Sequence, residues 1–181
     1  MMTREQIIKA GERLRLLTPD EIEAYELAPI PTEDEVRAYI ADYKKRISLL
    51  FRDIEKWLKE DGVYVAQAGE PDFIFEPLMA MYDIPDEEVP TLSIFTDNGI
   101  EVLRFRPNGL WVVPTNGRIA IETPNVPILR RRHDLRLLDK AAEPFQDANW
   151  ILRGAGENIF ASEPFSQQAL LRLVKEQHGA I

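Results

Sequence analysis

The chain has no cysteine, and that single absence removes disulfides, thiolate metal sites and a cysteine nucleophile from consideration. It has only two histidines, His133 and His178, and they lack the spacing of a helical metal-binding pair. No apolar run approaches the ~18 residues of a membrane-spanning helix, and the first residues carry no secretory apolar segment, so a cytoplasmic protein without a membrane partner is expected. No Asn-x-Ser/Thr sequon occurs. The most informative shortage is of positive charge: no lysine lies between Lys59 and Lys140, and residues 60–103 hold 11 acidic groups and no basic one.

What is present is ordinary globular composition. Apolar residues make up 45% and charged residues 29% of 181 residues, enough for one domain with one core, here 1–181, with residues 1–31 as a helical N-terminal extension. Three Ser/Thr-started capping signals open helices, at Thr3, Thr18 and Thr32. Behind Thr32, Val36, Ile40, Tyr43, Ile47, Leu50, Ile54 and Trp57 repeat in steps of four and three, which predicts a long amphipathic helix over about 33–60, ended by Asp61-Gly62. Its stripe is expected to pack on a sheet; the alternative is a helix-to-helix seam, and hence a homodimer.

Residues 91–123 contain three Asn-Gly dipeptides, at 98–99, 108–109 and 116–117. They divide the stretch into four runs rich in strand formers and predict an antiparallel meander, with Leu103/Phe105 and Ile119/Ile121 on its buried face. The preceding Gln67–Pro90 reads as a loop region with four prolines and one helical turn at Pro77–Tyr82. A strand is expected near Val63–Ala66 and another at Trp150–Arg153. Ser162-Glu163-Pro164 is expected to start the last helix, over about 163–178. The fold class is therefore α+β: a meander packed against a long helix and a C-terminal helix.

The charge segregation carries the functional expectation. Residues 104–140 reverse the sign, with eight basic and three acidic groups, although the whole chain has a net charge of −9. Exposed ion pairs contribute only about 0–1 kcal/mol each, so segregation is a poor device for stability and a good one for steering a partner. Glu70, Asp72, Asp83, Asp86, Glu87 and Glu88 are the candidate residues for meeting a basic protein, as in a non-enzymatic regulator, an inhibitor or an immunity-like protein. Arg104, Arg106, Arg118, Arg130, Arg131, Arg132 and Arg136 form a candidate anion or RNA patch, with Trp111 or Phe105 against bases. The overall negative charge opposes nucleic acid.

The second functional class is an enzyme or sensor with a carboxylate-lined pocket beside the 67–90 loop, near Trp111 and Tyr82. No sequence pattern selects catalytic residues. Asp83, Asp86 and Glu87 lack the glycine turn and closing glutamate of a calcium loop. Gly154-Ala155-Gly156 lacks the third glycine of a phosphate turn. No serine sits in a nucleophile elbow. No cofactor or metal is implied.

Overall fold

A computed structural model describes residues 31–110, 115–127, 135–141, 145–154 and 162–181. The first two capping signals, Trp111, Arg130–Arg132 and His133 lie outside the described residues.

The first described helix, α1 (Glu33–Asp61), starts at a capping box. The Thr32 side chain accepts the Glu35 N–H at 3.4 Å, and the Glu35 carboxylate accepts the Thr32 N–H at 2.7 Å. Glu33, Asp34 and Glu35 in the first turn and Lys59 in the last complement the helix dipole. Gly62 ends the helix with φ 72°, a conformation that a side chain would strain, and its N–H donates to the Leu58 carbonyl. The predicted stripe is buried from Val36 to Ile54 and continues into buried Leu58, with Trp57 half-buried against the core. Each such side chain contributes about 1.5–3 kcal/mol on burial. The stripe is covered by this chain's own sheet and C-terminal helix: Phe51 meets Phe105 edge-on, and Trp57 meets Phe165.

The strands are β1 (Tyr64–Ala68), β2 (Asp72–Ile74), β3 (Glu87–Val89), β4 (Leu92–Thr96), β5 (Glu101–Gly109), β6 (Arg118–Glu122), β7 (Arg136–Asp139), β8 (Trp150–Arg153) and β9 (Ser162–Pro164). Helix α2 (Pro77–Met81) lies between β2 and β3, and α3 (Gln167–His178) follows β9. Seven strands form one antiparallel sheet in the order β1-β4-β5-β6-β7-β8-β9, while β2 and β3 form a separate two-stranded ribbon. The chain is thus α+β, with a meander, a long helix and a C-terminal helix.

The register aligns Phe105 with Ile121, and Ile119 with Leu137, which in turn pairs with Leu152; all are buried on the helix-facing side. Side chains alternate across a strand, so Arg104, Arg106, Arg118, Arg136 and Arg153 belong to the opposite face.

Only one of the three Asn-Gly dipeptides makes the expected hairpin turn. Gly99 has φ 81°, and its N–H donates to the Thr96 carbonyl between β4 and β5. Asn108-Gly109 instead ends β5: Gly109 pairs with Arg118 across a register shift that falls where Pro107 has no N–H to give the ladder. Asn116-Gly117 pairs with Asp139 at the end of β7. Gly117 is required by space rather than by φ, since a Cβ there would lie 2.5 Å from the Tyr43 ring.

The start of the last helix also differs from expectation. Ser162–Pro164 is strand β9, with Pro164 on an edge where its missing N–H costs no ladder bond. Ser166 is the cap, its side chain accepting the Ala169 N–H at 3.3 Å. In 67–90, the prolines bound short elements rather than forbidding them. The helical turn is present as α2, but strands β2 and β3 were not foreseen.

Candidate functional site

The β2–β3 ribbon has a committed face and an open one. In its register Asp72 pairs with Val89, Phe73 with Glu88, and Ile74 with Glu87. Ile74 and Val89 are buried in the core. Asp72 accepts Arg106 Nε at 2.8 Å and Nη2 at 2.5 Å, and Lys44 of α1 donates to Glu87 at 3.0 Å. These residues face inward, so alternation turns Phe73, Phe75 and Glu88 outward. Phe73 is 61% exposed and Phe75 58% exposed, unusual for aromatic side chains on neighbouring positions of one face. Glu70, Asp83 and Asp86 are exposed as well.

Among the described residues, the acidic stretch is only partly neutralised. Asp72 pairs with Arg106, Glu87 with Lys44, and Glu101 with Arg104. Glu70, Asp83, Asp86, Glu88 and Asp97 form no ion pair among the described residues. Asp83 adopts φ 51°, which an aspartate tolerates better than most residues. Burial pushes the Asp72 carboxyl up, but the Arg106 hydrogen bonds, the Phe73 N–H and the guanidinium charge outweigh it and hold Asp72 below its usual range. Glu101 behaves likewise: burial raises it, and Arg104 with Ser93 lowers it further. Glu76 goes the other way, raised by burial despite the Leu110 N–H that it accepts at 2.8 Å.

The described arginines of the patch, Arg104, Arg106, Arg118 and Arg136, share one face of the sheet. Arg104 is held by Glu101, Arg106 bridges Asp72 and Glu122, and Arg118 donates to Asn108. Arg136 sits directly opposite Arg153, a residue that the charge count of 104–140 did not reach. Two of the patch's arginines, Arg104 and Arg106, are thus already paired with carboxylates.

A second feature lies on the other flank of α1, where no candidate had been placed. Arg46 is 5% exposed and Asp139 is fully buried. The Arg46 guanidinium donates from Nη1 to Asp139 and from Nη2 to the Asn116 carbonyl at 3.1 Å. Its Nε lies 2.9 Å from Asp42, an ion contact without hydrogen-bond alignment. The other Asp139 oxygen accepts the N–H groups of Ala141 and Asn149 at 3.0 and 2.9 Å. Above this network is a cavity of about 380 Å³ between α1, residues 145–150 and Pro164-Phe165. The pocket expected beside the 67–90 loop is not where this cavity lies, and Tyr82 instead donates its hydroxyl to the Pro31 carbonyl. Among the described residues, no three histidine or carboxylate groups come together as a metal site, and Asp83, Asp86 and Glu87 form none.

The sequence carried one faint sign of the network: Asp42 and Arg46 stand four apart beside the apolar stripe. Glu33 and Arg37 have the same spacing and are about half exposed, so spacing does not reveal burial. Neither protein-family models, nor curated proteins, nor solved structures match this chain, and the geometry alone supports a functional reading.

Proposed function

We propose that this chain is a non-enzymatic cytoplasmic binding protein that engages a basic protein through the open face of the β2–β3 ribbon. The observation that supports this reading is the joint exposure of Phe73 and Phe75 beside Glu88 and the exposed acids Glu70, Asp83 and Asp86, which form no ion pair among the described residues. Exposed aromatics such as Phe73 in β2 and Phe75 just beyond its end are the usual anchors of an interface, where they supply apolar burial at a low cost in side-chain entropy. The surrounding carboxylates steer a positively charged partner and repel acidic ones. Stable interfaces bury roughly 1,200–2,000 Å², so a ribbon of two three-residue strands would be the centre of a larger contact.

The test is co-purification from the native host at low ionic strength, comparing the wild type with a Phe73→Ala/Phe75→Ala variant and with a Glu88→Lys variant. A basic protein should be retained by the wild type, released by salt, and lost in the double alanine variant. Charge reversal should slow association more than it speeds dissociation. Retention that is insensitive to salt and to both variants would overturn the reading.

A further inference from the structure

The cavity on the opposite flank of α1 carries an inference independent of the ribbon. We propose that it is a binding site for a small organic cation with an aromatic or alkyl body. Four observations lead to this ligand class.

The first is the charge that remains after internal pairing. Asp42, Asp53 and Asp147 line the cavity against Lys45 and Arg46, and Arg46 is also paired with the buried Asp139 outside the lining, so the lining itself is net negative by one charge. The Arg46 cation is already surrounded by Asp42, Asp139 and the Asn116 carbonyl, so it offers little to an anionic ligand. Asp53 and Asp147 are exposed and form no ion pair among the described residues. Lys45 is an exposed member of the lining, and it opposes a cationic ligand.

The second is the lining. Trp57, Phe145, Trp150 and Phe165 bring four aromatic rings to one cavity. A cation over an aromatic face is attracted by the ring quadrupole, more strongly where water is excluded. Trp150 and Trp57 also provide the apolar wall that an alkyl or aryl group needs.

The third is size. At about 380 Å³ the cavity is at the small end of the ligand-site range, room for a molecule on the order of ten to fifteen non-hydrogen atoms.

The fourth is the backbone of Phe145, which adopts φ 66°, a conformation costly for a bulky residue. It is kept there by two contacts: its N–H donates to Asp42 at 3.3 Å, and its ring stacks on Tyr39 at 5.3 Å. The chain Asp139–Arg46–Asp42 thereby connects the buried network to the residue at the cavity mouth.

The experiment titrates the full-length protein with phenethylamine and with its anionic counterpart phenylacetate, read by tryptophan fluorescence and by amide shifts of Ala148 and Asn149. Phenethylamine should saturate, and phenylacetate should bind at least roughly 10-fold more weakly. Asp147→Asn and Asp53→Asn should each weaken the amine several-fold while leaving the thermal midpoint unchanged, because both side chains are exposed. Lys45→Met should strengthen it. Equal binding of the two probes would show an apolar cleft without charge selection, and no saturation by about 10 mM amine would show no site at all. Either result overturns the proposal.

Discussion

The two flanks of α1 handle charge by opposite means. On one flank, Lys44 reaches across to Glu87 of the ribbon, with both side chains about a third exposed, and the acids beyond it are left to solvent. On the other, Arg46 is sealed against Asp42 and Asp139, and every oxygen of Asp139 has a donor. The exposed pair is screened by water and contributes about 0–1 kcal/mol. The sealed one has lost its hydration on folding, and its attraction offsets that loss through the paired Nη groups of Arg46 and the fully satisfied Asp139 carboxylate, Arg46 Nε having only its ion contact with Asp42. Open charge is therefore available for a partner, while closed charge positions the backbone around it. Asn116, Ala141 and Asn149 all bond directly to the Arg46–Asp139 pair.

The most damaging way to break this contrast is to remove one member of the sealed pair. Arg46→Ala leaves Asp139 charged and buried without its counter-ion, and should cost about 3–5 kcal/mol in urea unfolding. A loss below about 1 kcal/mol would show that the two flanks are equivalent. Next in size is Gly117→Ala on the midline of the helix. Its new Cβ would press on the Tyr43 ring, whose hydroxyl donates to the Arg118 carbonyl at 2.7 Å, and the overpacking should cost about 1–3 kcal/mol by thermal or urea unfolding.

On the ribbon side, Asp72→Asn should cost less than about 1 kcal/mol, and its effect should depend on pH. The folded carboxyl titrates below its ordinary value of 3.8, so its contribution is complete above that value and is lost as the pH falls through the lower folded value. The difference between wild type and variant should thus be seen at neutral pH and vanish in strong acid. The smallest effect on stability should come from Phe73→Ala/Phe75→Ala, within about 0.5 kcal/mol for each substitution. The same variant should show the largest loss of partner binding. That dissociation of stability from binding sharpens the contrast most, and a large loss of stability would mean that the two rings serve the fold.

Much of this arrangement was readable in the sequence, and the parts that were not share a cause. The Thr32 capping box, the stripe from Val36 to Ile54 and the turn at Asn98-Gly99 depend on residues within a few positions of one another, so spacing reveals them. The acidic segment was equally visible, because charge can be counted. The pairing of Asp72 with Arg106 spans 34 residues, and that of Arg46 with Asp139 spans 93. Nothing local distinguishes Asp42–Arg46 from the exposed Glu33–Arg37 pair. The cavity was missed for the same reason, since its walls come from α1, the residues leading into β8 with Trp150 at its start, and the end of β9 with Phe165.

The sequence by itself determined where α1 begins and ends, which of its apolar residues from Val36 to Ile54 point inward, and which stretch is acidic, because caps, helical periodicity and composition act over short range. Tertiary structure decided which acids are neutralised, why Gly117 must be glycine, and that Asn108-Gly109 lies within paired strands. Those outcomes depend on which strand lies beside which and on how closely α1 approaches the sheet, distances that the order of residues along the chain does not encode locally.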